Sequence, residues 1–461
     1  MSGQGIWSLA DCAAQVGGRL TGADAVFDGV VTDSRGSCHG QLFVALRGER
    51  FDGHDYVANA AGNGAAAAMV EHPVECDLPQ WLVPDTLAGL GRLAAAWRDR
   101  IPARIVAITG SNGKTTVKEM VAAILSRAGR TRATQGNLNN HIGMPLTLLA
   151  ARDEDFLILE MGANHHGEIA YMTRIARPEA AMITNAGRAH LEGFGTVAGV
   201  ARAKGEIAAG LPADGTFVFM ADTPWTPLWH VLACGRRALT FGTGPQARVR
   251  ADDEAIELVW DESGFRTRFE ADADGRPLTI ELALAGRHNV RNALAAIAMA
   301  RALDVSDQAI CDGLADLVPV RRRLQPRRTA GGVRLIDDSY NANPDSLAAA
   351  VDVLVGLAGR RVLVLGDFGE LGADSSGLHF AMGEAARAAG VDRLYAVGPL
   401  AAHAAAGFGN GARHFADQQA LLEALRADLD ADDVLLVKGS RASAMDKVAD
   451  VLCAGAAGEG V

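Results

Sequence analysis

Short unbroken apolar runs alternate along this chain with longer stretches whose apolar residues recur every three or four positions. RIVAIT at 104–109, FLILEM from Phe156 and AAMIT from Ala180 are too short for helices and show no period of two, which fits strands buried on both faces. Between them, residues 115–127 and the stretch carrying Ile169, Met172 and Ile175 have helical spacing. Strands alternating with helices predict a parallel sheet with right-handed crossovers. From Val249 to Leu284 the period falls to two (AIELVW, LTIELAL) around Gly-containing turns, which predicts antiparallel hairpins inserted into this unit. Helical spacing resumes at 288–303 and 307–317. Beyond the basic run Arg321 to Arg328, the runs VRLIDD, RVLVLGD, RLYAVG and DVLLVKG alternate with Ala/Leu-rich helical stretches, the pattern of a second doubly wound α/β unit. Upstream, the run LFVAL, a Gly/Asp/His connection and an Ala-rich helix ending in AMVE predict a small α/β unit over about 42–71. A helical pattern at 87–100 then leads to Ile101-Pro102, a natural joint.

The expectation is an α/β chain of three units, 1–99, 100–325 and 326–461. A length of 461 residues exceeds one ordinary core, and 49% hydrophobic with 21% charged residues is a globular composition. The formal charge of −11 argues against a broad nucleic-acid surface and leaves room for a local pocket that takes a phosphorylated small molecule. Six cysteines (Cys12, Cys38, Cys76, Cys234, Cys311, Cys453) lack CxxC or zinc-type spacing and read as buried thiols in a reducing compartment. No basic-then-apolar leader opens the sequence, and no apolar stretch nears the ~20 residues of a membrane span. These features predict a soluble cytoplasmic protein with no membrane insertion and disorder only in the Gly/Ala-rich tail after Cys453; a monomer is expected, though no feature of the sequence sets the oligomeric state.

Gly110-Ser111-Asn112-Gly113-Lys114-Thr115-Thr116 follows a predicted strand and opens a predicted helix. In that setting glycines let the backbone wrap phosphate oxygens, the helix N-terminus aims free N–H groups at them, Lys114 adds a charge and the Thr115 hydroxyl can ligate Mg²⁺. The loop departs from the full GxxxxGK[ST] pattern, whose first glycine would fall at Ile108; a Gly-rich turn with a surface lysine is the plain alternative. Glu160 closes a predicted strand at the sheet edge where ligands gather, and Asn185 and His190 follow the next one. A carboxylate and an imidazole there could share a Mg²⁺, although Mg²⁺ prefers oxygen. Lys204, on the helical stretch ARAKGEIAAGL, is a cation at its ordinary pKa and could ligate a metal only as a CO₂-derived carbamate. From the residues alone, an exposed helix pair for Lys204 and a loop-filling His190 are the favoured reading.

In order and spacing, TDSR (32–35), FDGHDY (51–56), TGSNGKTT, GNLNNHIGMPLTLL from Gly136, EMGANHHGEI from Glu160, NAGRAHLEGFG from Asn185, AKGEI from Ala203, GRHNVRNALAA from Gly286, DDSYNANPDS from Asp337, GDFGELG from Gly366 and KGSR from Lys438 together resemble the Mur ligase family. The resemblance covers nearly the whole chain. It implies an N-terminal domain for a uridine nucleotide, a central ATPase domain and a C-terminal Rossmann-like domain. It further implies that ATP and Mg²⁺, two ions in all, drive the addition of D-alanyl-D-alanine to UDP-N-acetylmuramoyl-tripeptide through an acyl phosphate. By the same resemblance Thr32, Asp33, Ser34 and Arg35 hold the UDP-sugar, and Asn139 and Asn140 line its path, with Asn139 close to the chemistry. Lys114 and Thr115 meet the β/γ-phosphates and one Mg²⁺, and Glu160, His190 and carbamylated Lys204 surround the second. His288 and Asn292 occupy an HNxxN pattern that meets ribose or base, and Arg323 and Asp338 reach ATP from the third unit. Tyr340, Asn341, Asn343 and the GDFGELG loop face the dipeptide. The same groups would serve another ligase of the family or a folylpolyglutamate synthase. A nucleotide-dependent switch is a reading of another class, against which Glu160, His190 and Lys204 argue.

Overall fold

A computed structural model describes residues 7–48, 50–188, 191–261, 264–372 and 374–454. Within these, three large sheets follow one another along the chain, all dominated by parallel pairing.

The N-terminal sheet runs Arg19–Thr21, Gln80–Leu82, Ala67–Val70, Gln41–Val44, Gly29–Val31, parallel except for its first pair. The Ala-rich segment expected to be a helix ending in AMVE is here a central strand, Ala67–Val70, buried along its whole length. The helix is shorter and earlier, Val57–Gly62, and stops at Asn63 and Gly64, the latter in a left-handed turn (φ 88°). Alanine is the best helix former, but propensity is a weak determinant, and burial between two paired strands overrides it. The helix Thr86–Arg98 joins this sheet to the next: Trp97 packs in the shared core, and its indole N–H donates to Ala151 O at 3.0 Å.

The central sheet is built on the parallel strands Thr131–Ala133, Phe156–Glu160, Arg104–Thr109, Ala180–Ile183, Thr216–Met220 and Arg237–Gly242, in that spatial order. Its far edge turns antiparallel through Val249–Ala251, Gly264–Ala273, Glu257–Asp261 and Pro277–Leu282, the hairpins that the period of two predicted. The helices Lys114–Ser126 and Arg287–Ala302 pack together over one face and bury a continuous apolar layer that includes Val117, Ile124, Val290 and Ile297.

In the C-terminal sheet the order is Gln325–Arg328, Arg334–Asp338, Asp433–Lys438, Arg360–Gly366, Arg393–Val397, Ala412–Phe415, antiparallel only at the first pair. Part of the basic run is therefore itself an edge strand, where Pro326 is tolerated. Two of its charges are paired, while Arg321 and Arg328 are exposed: Arg327 bonds Asp337 at 2.9 Å and Asp450 at 2.7 Å, and Arg322 bonds Asp446 at 2.7 Å.

The expectation of six buried thiols needs correction. All six cysteines are free, but only Cys12 and Cys38 are buried, and Cys234 is exposed where it caps the helix Thr226–Ala233 in a left-handed conformation (φ 51°). Apolar packing cannot reach a residue that turns the chain outward. Most of the tail after Cys453, expected to be disordered, lies outside the described residues.

Candidate active site

Strand register decides where the chemistry gathers. Glu160 pairs opposite Ile108 and Ile183 opposite Thr109, so the loops that follow these three strands emerge side by side at the carboxyl edge of the central sheet. In the C-terminal sheet Asp338 pairs opposite Lys438 at the matching edge. The two edges face each other across a cavity of about 1150 Å³.

The phosphate-type loop is held open from behind. Ser111 N–H donates to Asn185 O at 3.0 Å and Asn112 N–H to Asn185 Oδ1 at 2.9 Å, while Asn112 O accepts from Thr184 Oγ1 and Asn185 Nδ2 at 2.6 and 2.9 Å. Gly113 begins the helix with φ 79°, and a Cβ there would lie 2.5 Å from Asn292 Oδ1, so this position requires glycine on both counts. Asn292 thus supports the loop from below. Lys114 Nζ donates to Gly110 O at 2.7 Å and Ser111 O at 3.2 Å, folded back over the concavity, and burial lowers its pKa. An ammonium held by carbonyls over a nest of N–H groups suits a polyphosphate.

Beside the loop, Glu160 is 2% exposed; its Oε2 accepts from Thr115 Oγ1 at 3.0 Å and its Oε1 from Asn139 Nδ2 at 2.9 Å. Asn140 serves its own turn instead, accepting from Ile142 N and Gly143 N. Arg323 comes from the connection to the C-terminal sheet. Arg322 and Leu324 on either side of it are left-handed (φ 61° and 47°), fixed by the Asp446 pair and by a 3.1 Å bond from Leu324 N to Asp338 Oδ1. This strained elbow drives the Arg323 guanidinium to 3.1 Å from Thr115 Oγ1 and over the Tyr340 ring. His288 is half-buried beside these groups, and desolvation lowers its pKa to about 4, so it is a neutral imidazole.

Most candidates from the sequence meet in this one cavity: residues 111–116, Asn139, Asn140, Glu160, His288, Asn292, Arg323, Asp338, Tyr340, Asn341 and Asn343 all line it. Gly110 does not line it, but its carbonyl accepts from Lys114 Nζ. The Thr32–Arg35 segment does not line it. Ser34 is buried there under bonds from Asn59 and Asn63, while Asp33 and Arg35 are exposed and paired to each other, which lowers the Asp33 pKa to about 2. His190 lies outside the described residues. Lys204 is fully buried on the helix Val197–Gly205; its Nζ has a weak acceptor, Ala163 O at 3.5 Å, and lies over the Phe194 ring. Burial, and then the charge of Lys114, lower its pKa to about 7.

Three residues that matter here escaped the sequence reading. Lys438 is 1% exposed and binds Asp338 Oδ2 at 2.5 Å, although KGSR was visible as a motif. Arg188 and Asp345 form an ion pair across the cavity, and nothing in the sequence links positions 157 residues apart.

The described residues offer Mg²⁺ the Glu160 carboxylate and the Thr115 hydroxyl, and among them no group of three or more His, Cys, Asp or Glu could hold an ion by itself. That sparse oxygen set fits Mg²⁺, which keeps waters and takes substrate phosphates for the remaining positions.

Comparison with known families and proteins agrees with this geometry. Family models match in sequence: the Mur ligase family catalytic domain at 26–98, the Mur ligase middle domain at 108–300, and the Mur ligase glutamate ligase domain at 322–441. The UDP-N-acetylmuramoyl-tripeptide--D-alanyl-D-alanine ligase of Escherichia coli (strain K12) is 47% identical over 438 residues, 94% of this chain and 96% of its own. A crystal structure of MurF from Acinetobacter baumannii superposes with a TM-score of 0.89 at 36% identity, covering 97% of this chain and 98% of that one. MurF ligase from Thermotoga maritima in complex with ADP superposes at 0.83 with 30% identity, covering 92% and 96%.

Proposed function

The chain belongs to the Mur ligase family, and from that premise we propose that it adds D-alanyl-D-alanine to UDP-N-acetylmuramoyl-tripeptide, an ATP-dependent, ADP-forming step of peptidoglycan synthesis. The observation that carries this reading is the meeting of Lys114, Glu160 and Thr115 from the central unit with Arg323 from the connection and Asp338 from the next sheet, in a cavity large enough for a nucleotide and a peptide end. Residues 1–99, 100–325 and 326–461 then act as the units for UDP-sugar, ATP and incoming amine. Among the described residues no helix is long and apolar enough to cross a membrane.

A peptide carboxylate resists an amine because it is negatively charged and lacks a leaving group. Its attack on the γ-phosphate of ATP gives an acyl phosphate and ADP, and the dipeptide amine then displaces inorganic phosphate through a tetrahedral intermediate. Lys114 leaves its two carbonyls for the β/γ-phosphates, and the N–H groups of 113–115 at the helix start hold the remaining oxygens. Arg323 places a second cation on the transferring group from the opposite wall. Neutral His288 and Asn292 sit where the nucleoside lies. Asp338, held by Lys438 and by the N–H of Leu324, keeps the Arg323 elbow in place. Asn139 orients Glu160 and borders the entry of the UDP-linked carboxylate, with Asn140 shaping the turn and Thr32–Arg35 gripping the nucleotide end. Tyr340, Asn341 and Asn343 line the dipeptide side. Glu160 and Thr115 would hold Mg²⁺, and Lys204 as a carbamate, with His190, would hold a second ion; bound there, the metal offsets charge on the phosphoryl oxygens. A buried amine with so weak a partner suits conversion to a carbamate, which forms an N–C bond to CO₂ and releases one proton.

The test is a coupled assay of ADP release with mass spectrometry of the product. UDP-MurNAc-tripeptide with D-Ala-D-Ala should yield the pentapeptide, and one oxygen of a labelled tripeptide carboxylate should appear in inorganic phosphate. ADP release without dipeptide addition, or turnover only with a shorter precursor or a folate, would overturn the assignment.

A further inference from the structure

The cavity walls are clasped together at the loop beside the phosphate loop, where Gly187 N–H donates to Ser111 Oγ at 3.0 Å. Asp345, in the first turn of the helix Pro344–Val355, reaches across to the loop that follows strand Ala180–Ile183. Its Oδ2 accepts from the backbone N–H of Arg188 at 2.8 Å, and its Oδ1 from Arg188 Nε at 3.1 Å. One residue away from Pro344, the N-cap Asn343 donates from Nδ2 to Asn112 Oδ1 at 2.7 Å. Asn112 is in turn bound to Asn185 of the Arg188 loop, so one helix turn of the C-terminal unit holds both the phosphate loop and the loop beside it. Room for the clasp depends on Gly187, where a Cβ would lie 2.5 Å from Asp345 Oδ2.

We propose that the Asp345–Arg188 clasp is a positioning device for the ligase reaction, which holds the amine-bearing unit over the acyl phosphate and keeps water from it. The proposal rests on the function proposed above. The acyl phosphate forms against the central sheet and the amine arrives from the C-terminal side, so any opening between the two exposes the intermediate to hydrolysis. Both residues line the cavity wall, and in this proposal they act through the walls they join. The device acts on the fate of the intermediate and on dipeptide affinity, and leaves the making of the acyl phosphate untouched.

Full-length protein carrying Asp345→Ala, Asp345→Glu or Gly187→Ala is compared with the unchanged chain for ADP formed per pentapeptide and for KM of D-Ala-D-Ala. Gly187→Ala keeps both charges and wedges them apart at a glycine whose φ is not left-handed, so it tests the clasp without a deletion. Asp345→Ala and Gly187→Ala should raise the ADP-to-product ratio above one and raise KM for the dipeptide by about five- to tenfold, the effect of losing one half-exposed ion pair and a backbone bond. KM for ATP should stay unchanged in Asp345→Ala, and Asp345→Glu should retain coupling. If both disruptive variants melt at the temperature of the unchanged chain and still couple one ADP to one product with unchanged KM, the clasp has no such role. Should the unchanged chain itself make no pentapeptide, the functional reading fails instead.

Discussion

Replacing Lys204 with methionine should stabilise the protein while abolishing its ligase activity. The ammonium is fully buried, with Ala163 O at 3.5 Å as its weak acceptor, and burial followed by repulsion from Lys114 brings its pKa from 10.5 to about 7. At one pKa unit per ~1.4 kcal/mol, keeping this group charged in the folded state costs on the order of 4–5 kcal/mol at neutral pH. The sign follows from proton counting. Between pH 7 and the ordinary lysine range the unfolded chain holds a proton the folded chain has lost, so stability of the unmodified protein rises with pH through that window and is lowest below it. Methionine fills nearly the same volume and carries no charge. In CO₂-free buffer at pH 7, Lys204→Met should therefore gain roughly 2–4 kcal/mol after the lost polar contact, a rise of roughly 5–10 °C in the midpoint of the unit that contains it. The gain should shrink as pH approaches 10. Differential scanning calorimetry at pH 6, 7, 8.5 and 10 reads this directly. Lys204→Ala should be inactive yet partly rescued by short carboxylic acids, which can occupy the vacated space as a carbamate would. A methionine variant that melts at or below the unchanged chain at every pH would refute the argument, and full activity in either variant would remove Lys204 from the mechanism.

Two further outcomes follow from the cavity. Desolvation holds the His288 pKa at about 4, so the unfolded chain binds its proton first as pH falls; stability should decline between pH 6.5 and 4, and His288→Asn should flatten that part of the curve in urea titrations. Arg323→Lys keeps the charge but loses the planar stack on Tyr340 and the reach to Thr115, and should lower kcat by about 10²-fold with little change in KM for the UDP-substrate, measured by ADP release.

How much of this could be read from the sequence depends on how local each signal is. The strand–loop–helix at 104–126 and the hairpins after Val249 were legible because apolar period and glycine placement act over a few residues. The Ala67–Val70 strand was not, because alanine carries almost no period and only its two neighbours in the sheet decide its state. The site divides in the same way. Lys114 and Thr115 are announced by their loop, whereas the pairing of Asp338 with Lys438 depends on strands 100 residues apart falling into register.

That division also bears on how the reaction is controlled. The segment proposed to bind phosphate is short and is held by Thr184 and Asn185 of the neighbouring loop, so its order comes from within the central unit. The groups that should stabilise transfer and admit the amine come from the C-terminal unit and the connection leading into it, and reach the phosphate loop and the loop beside it through side chains: Arg323 to Thr115, Asn343 to Asn112, and Asp345 to Arg188. Each such contact is worth only about 1 kcal/mol, small enough for substrate binding to shift the balance between open and closed forms. Phosphate binding is thus built into the central sheet, while commitment to amide formation depends on a closure held by several weak contacts, each of which the reaction can break to release its product.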